Sequence, residues 1–124
     1  MNSKKLFLYH LLMLFIPATK LFNLKSTLLR WCGADIGKNV RIVSSAKFYL
    51  NGKLIVGDNT WIGHEVLIVG GNAPIKIGKD CDIAPRVTIA SGTHKINNYI
   101  SNKVAWDWYS LPIEIGNGSW ICVN

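Results

Sequence analysis

The chain has 124 residues, 49% of them apolar and 17% charged, with a formal net charge of +7. That length and apolar share suit one domain with a real core, and eleven glycines with four prolines and no low-complexity tract argue against disorder. Cys32, Cys81 and Cys122 form no CxxC pair and no metal-ligand spacing, so they read as reduced thiols of a cytoplasmic protein, not as a disulfide framework.

The charge is uneven along the chain. Residues 1–54 carry nine Lys and Arg against Asp35 alone, a balance of +8, whereas the remainder carries five basic and six acidic groups, a balance of −1. A basic end beside a neutral body points to an anionic surface, either lipid headgroups or a phosphorylated substrate, or to no more than a solvated face. Nucleic acid is disfavoured, because no aromatic–basic stacking stretch and no helix-turn-helix pattern occurs.

The N-terminus, "MNSKKLFLYHLLMLFIPATKLFNLKSTLLRWCG", opens like a secretion signal, but the apolar run from Leu6 to Ile16 is too short to span a bilayer and "PAT" is a poor cleavage site. A second apolar set (Leu21, Phe22, Leu24, Leu28, Leu29, Trp31) is spaced three and four apart, with Lys20, Lys25 and Arg30 between its members. The pattern predicts two short helices, over about 4–16 and 20–31, broken at Pro17. Residues 1–32 then form an amphipathic helical segment that either caps the following domain or lies on a membrane surface.

From Ile36 onward a phrase recurs: "DIGKNV", "IVGDNTWIG", "KIGKDCDIA", "EIGNGSWIC". Its aliphatic anchors step by six: Ile36, Ile42, Phe48; Val56, Ile62, Ile68; Ile77, Ile83, Ile89; Ile115, Ile121. The residue after an anchor is often small (Gly37, Gly57, Gly78), and the fourth after it is small or β-branched (Val40, Ala46, Thr60, Val66, Cys81, Val87, Thr93, Ser119). A period of six fits neither a helix at 3.6 nor a strand at 2. It fits a solenoid whose coil is a triangle of three short strands, each turning one aliphatic side chain inward. Residues 33–124 are therefore expected to form an all-β solenoid of about four coils, starting at 36, 56, 77 and 115. At a coil spacing of about 4.8 Å it would stand roughly 15–20 Å tall.

The last step between coils is longer than the others by almost a whole coil, and the excess begins at His94, the end of "SGTH", and returns at "LPIEIG". Extra residues must leave a solenoid as a loop, here expected to protrude at about 95–112, and long loops in compact domains usually carry function. This one holds Trp106, Trp108 and Tyr109. His94 at its root can accept a proton near neutral pH. A hydroxyl needs that help to act as a nucleophile, because an alcohol is a poor one until its proton is being removed.

The passage from Ile36 to Cys122, with its "LLRWCGADIGKNVRI" entry, resembles the hexapeptide-repeat acyltransferases, and within them the bacterial sugar O-acetyltransferases of capsule, colanic acid and O-antigen synthesis. The resemblance implies a left-handed parallel β-helix, a homotrimer with sites between subunits, acetyl-CoA as donor, a sugar or sugar-lipid as acceptor and no metal. It implies that His94, in "SGTH", is the catalytic base, acting without a covalent enzyme intermediate. It suggests acceptor-side roles for Glu65 in "WIGHEVLI" and, more weakly, for Asn72 in "GGNAP"; His64 reads as a surface residue. It also implies that relatives continue for further coils, which hold much of the acetyl-CoA site. That leaves Trp120 and Cys122 as the donor-side candidates, and since "SWICVN" stops about ten residues into its coil, a C-terminally truncated chain is expected. A non-catalytic remnant, or a membrane-associated assembly protein without the donor site, is the alternative. A zinc hydratase sharing the solenoid would need three converging histidines, yet of His10, His64 and His94 the first falls in the N-terminal helix.

Overall fold

The computed structural model describes residues 1–96 and 105–123. Two helices come first, α1 (Ser3–Met13) and α2 (Phe22–Trp31). Coil one is β1 (Asp35–Ile36), β2 (Arg41–Ile42) and β3 (Lys47–Leu50), and coil two is β4 (Leu54–Val56), β5 (Trp61–Ile62) and β6 (Leu67–Gly70). Coil three is β7 (Ile75–Ile77), β8 (Asp82–Ile83) and β9 (Thr88–Ala90). A hairpin of β10 (Gly92–Ile96) and β11 (Ala105–Ser110) intervenes before the fourth coil, β12 (Ile113–Ile115) and β13 (Trp120–Ile121).

Coils stack in parallel as three sheet faces: face A in the order β1-β4-β7-β12, face B in the order β2-β5-β8-β13, and face C in the order β3-β6-β9. The six-residue anchors stand in register, Ile36 with Val56, Ile77 and Ile115 on face A, and Ile42 with Ile62, Ile83 and Ile121 on face B. Phe48, Ile68 and Ile89 form the row on face C. The nine anchors of the first three coils are buried, while Ile115 and Ile121 are partly so. A second inward row, Leu54 and Ile75, adds to face A at positions the six-step pattern skips.

Several coil corners turn through a left-handed backbone residue. On the A-to-B corner this is Asn39, Asn59, Asp80 and finally Gly118, all at positive φ. Asn and Asp tolerate that region better than most side chains, and here they form a ladder: Asn39 Nδ2 donates to Asn59 Oδ1, and Asn59 Nδ2 to Asp80 Oδ1.

The helices cap the first coil. Leu6, Tyr9, Met13 and Leu29 join the same core cluster as the coil anchors. Polar groups close the exposed strand edges: Arg30 Nε donates to Ile36 O at 2.8 Å, Ser26 Oγ to Val40 O, and the amide of Phe48 donates to His10 Nε2 at 3.1 Å. Lys25, fully buried, donates to the carbonyls of Pro17 and Ala18 and so staples the link between the helices. Of the two placements open to the helical segment, its inner side takes the cap. Among the described residues no helix is long and apolar enough to cross a membrane.

Candidate functional site

The excursion is a β-hairpin, and it starts earlier than expected. The chain leaves the coil at Gly92 and returns after Ser110, so His94 lies within strand β10 and not at the root of an irregular loop. Thr93, expected inside the coil four residues after Ile89, is exposed for the same reason. Residues 97–104, the middle of the expected loop, lie outside the described residues, as does the side chain of Trp106.

Register decides what the hairpin presents. Gly92 pairs with Ser110, Thr93 with Tyr109, and His94 with Trp108. Alternation along strands then puts Gly92, His94, Trp108 and Ser110 on one side of the hairpin, and Thr93 with Tyr109 on the other. The first side faces the turn between β6 and β7. A Cβ on Gly71 of that turn would run into the Trp108 ring, and one on Gly92 would lie 2.9 Å from its Nε1, so the indole seats only because both positions are glycine. The amide of Ala73 donates to Ser110 Oγ at 3.0 Å, and that of Leu111 to Ser91 O at the hairpin's base. Past His94 the register shifts before Ile96, an irregularity of the kind that re-aims a side chain.

This arrangement brings His94 and Asn72 to one corner. Asn72 is exposed in the turn between Gly71, which seats Trp108, and Ala73, which bonds Ser110. His94 is exposed as well, and Trp108 keeps 50% of its surface open. An imidazole, a carboxamide and a half-open indole at one corner can take a proton, orient a hydroxyl and stack on a sugar ring.

The other candidates lie elsewhere on the coil. Glu65 sits on the B-to-C corner at φ 56, where it meets Arg86, its equivalent one coil on, at φ 65. Its Oε2 accepts from Arg86 Nε at 2.9 Å, in an exposed pair. The length of strand β6, roughly 15 Å, separates this corner from the Asn72 turn. Trp120 stands in register with Asp82 on face B, and Cys122 follows it; both are exposed. Face B lies across the triangular coil from the C-to-A corner where the hairpin emerges. Within one copy of the chain, then, His94 joins Asn72 and Trp108, but neither Glu65 nor the Trp120–Cys122 pair.

Two grooves, of about 760 and 480 Å³, lie at the helical end, and neither is lined by His94, Asn72, Glu65 or Trp120. Among the described residues no three or more His, Cys, Asp or Glu gather as a metal site. Trp108 is the site residue that the sequence could have assigned more sharply. "AWDWYS" alternates aromatic and polar residues as a strand does, and the glycines at 71 and 92 supply the gap for its ring.

No protein-family model matches the chain. The chain is 33% identical, over 105 residues, to the colanic acid biosynthesis acetyltransferase WcaF of Escherichia coli strain K12, and equally to that of Shigella flexneri. That match covers 84% of this chain and 54% of the relative. It is 27% identical over 97 residues to the galactoside O-acetyltransferase of Escherichia coli strain K12, covering 78% of this chain and 46% of that one. The chain thus spans about half the length of the curated relatives it matches. Among solved structures it superposes, with a TM-score of 0.55 and 19% identity, on a mutant of AntD, an N-acyltransferase from Bacillus cereus, in complex with dTDP and coenzyme A. The superposition covers 70% of this chain and 48% of that one, and the likeness is one of fold, the left-handed parallel β-helix.

Proposed function

Because the chain is a relative of the hexapeptide-repeat acyltransferases, we propose that it is an acetyl-CoA-dependent O-acetyltransferase acting on a sugar hydroxyl in surface polysaccharide synthesis. The observation that carries this reading is the hairpin register, which pairs an exposed His94 with a half-open Trp108 whose ring meets Gly71, beside Asn72. In it, His94 takes the proton of the acceptor hydroxyl as that oxygen attacks the thioester carbonyl. The C–S bond breaks, coenzyme A leaves as thiolate, and the imidazolium returns its proton. Asn72 holds a neighbouring hydroxyl by hydrogen bonds, and Trp108 stacks on the sugar ring.

The remaining candidates take part from a neighbouring copy. Glu65 lies a strand length from the His94 corner, and Trp120 and Cys122 lie on the opposite face. In a homotrimer with sites between subunits, another chain's face B meets this hairpin, so that its Glu65 contacts the acceptor and its Trp120 and Cys122 line the donor's pantetheine arm. The protein works in the cytoplasm on a sugar or sugar-lipid, without a metal. The experiment is acetyl transfer from acetyl-CoA to sugar acceptors by the chain and by its His94→Ala variant, with light scattering for the oligomer. Equal turnover from both would end the assignment.

The second reading, a β-helix that does not hold the donor, has one observation in its favour: the donor-side candidates Trp120 and Cys122 are exposed and lie across the coil from His94. Calorimetry with acetyl-CoA separates the two. Saturable binding supports the enzyme, and no binding supports the remnant.

A further inference from the structure

Helix α1 is apolar on both sides. Leu6, Tyr9 and Met13 turn into the core, yet Phe7, Leu8, Leu11 and Leu12 are exposed, as are Leu14 and Phe15 just past its end, Phe7 by 72% and Phe15 by 81%. A helix apolar all round is ordinarily a covered helix, so the outer side needs a partner. Helical spacing aligns Lys4 with Phe7, Leu11 and Leu14 along one stripe. A groove of about 480 Å³ runs between this stripe and β3, bordered by Phe7, Leu11, Leu14, Lys47 and Tyr49.

Charge selects the partner. No acidic residue precedes Asp35 in the sequence, and Lys4 and Lys20 are exposed at this end, with Lys5 and Lys47 partly so. A second copy packed through the same patch would bring these unopposed cations face to face, because a two-fold contact is made by one surface twice. Anionic headgroups would complement them, each cation near such a surface adding about 1 kcal/mol. An apolar face flanked by lysines, on a helix too short to cross, is the form of an interfacial anchor.

We propose that the outer side of the helical cap docks this protein on an anionic lipid surface. Phe7, Leu14 and Phe15 enter the acyl boundary, while Lys4 and Lys20 sit among the headgroups. Face C runs from β3, beneath the cap, to β9, two strand spacings or roughly 10 Å along the axis. Strand β9 leads directly into His94. Docking therefore holds the hairpin within reach of a sugar carried on a membrane lipid. That consequence rests on the function proposed above; the docking does not.

The test is flotation of the full chain with vesicles of phosphatidylcholine alone and of phosphatidylcholine with one quarter phosphatidylglycerol. The chain should float with the anionic vesicles, and high salt should lower its partitioning about tenfold. The double substitution Phe7→Ser with Phe15→Ser should lower it at least about thirtyfold. Both side chains are largely exposed, so an unchanged melting temperature would show that the variant keeps its fold. Three results would each overturn the proposal: no flotation with either vesicle, flotation undiminished in the variant, or self-association through this face that the variant abolishes while vesicles go unbound. Flotation without acetyl transfer would count against the enzyme and leave the docking standing.

Discussion

At the cap, two helices meet the first coil through buried Leu6, Tyr9, Met13 and Leu29, and their polar groups close its strand edges. At the third coil, the hairpin is mostly exposed, and among the described residues its contacts with the body include the Trp108 indole, the Ser110 hydroxyl and a backbone bond at its base. Neither element is generated by the six-residue rhythm, and the two are attached in opposite ways. The cap is bound as core is bound, so its loss is a matter of stability. The hairpin stands off the coil on small contacts, so its role must lie in what it presents.

Substitutions should separate the two along that line. His94→Ala should lower acetyl transfer by about 10²–10⁴-fold, the usual contribution of a general base, and should leave the melting temperature where it was, since His94 is exposed. Leu29→Ala should do the reverse. Leu29 is fully buried between cap and coil, and truncating such a side chain costs about 2–5 kcal/mol, which urea unfolding would read. If His94→Ala unfolded the chain, or Leu29→Ala were neutral, the division between the two regions would fail.

The same contrast explains what was legible in the sequence. The coils were, because each anchor repeats every six residues and its environment is set by the coil before it; Ile36, Val56, Ile77 and Ile115 stack as the spacing requires. Leu54 and Ile75 were missed because they follow the strand's own period of two, within a face longer than the repeat unit. Both helices were legible from apolar spacing, to within a few residues at their ends. The hairpin was read as a loop because no compact turn signature joins its strands. His10 was read only as a helix residue, since its task is set by tertiary docking: the edge amide of Phe48 needs an acceptor, and α1 brings one. Glu65 entered through family resemblance, whereas its place on the coil follows from the corner it shares with Arg86.

A smaller effect tests how the hairpin is seated. Trp108 lies against Gly71 and Gly92, where a Cβ would displace it. Gly71→Ala should lift the indole and misplace His94, lowering kcat/KM about tenfold, an effect of the size that a small loss of positioning gives. Stability should change by under about 1 kcal/mol, because the indole is half exposed. Hydrogen exchange should quicken in β10 and β11 and stay unchanged in β5 and β8. Uniform quickening would mean that the hairpin is part of the core after all.

A last effect belongs to the cap and reads a contact whose titration lies below neutral pH. His10 Nε2 accepts from the Phe48 amide, which only an unprotonated nitrogen can do. Burial first, and the charge of Lys47 second, hold this imidazole at about 4, below its ordinary 6.5. Between those values the unfolded chain binds a proton that the folded chain refuses, so the unfolded state gains as pH falls. The contribution of this group is whole above about pH 6.5, shrinks down to about pH 4 and changes no further below that. The full difference would be worth about 3 kcal/mol, but with the ring half in water we expect about 1–2 kcal/mol. His10→Gln retains an acceptor and removes the titration. Its urea midpoint should lie near that of the unmodified chain at pH 7 and fall less steeply between pH 6.5 and 4. Carboxylates titrating in the same range act on both proteins, so the difference between the two curves isolates His10. Parallel curves for the parent and His10→Gln would remove the imidazole from the cap's closure and leave that task to Arg30, Ser26 and the buried apolar side chains.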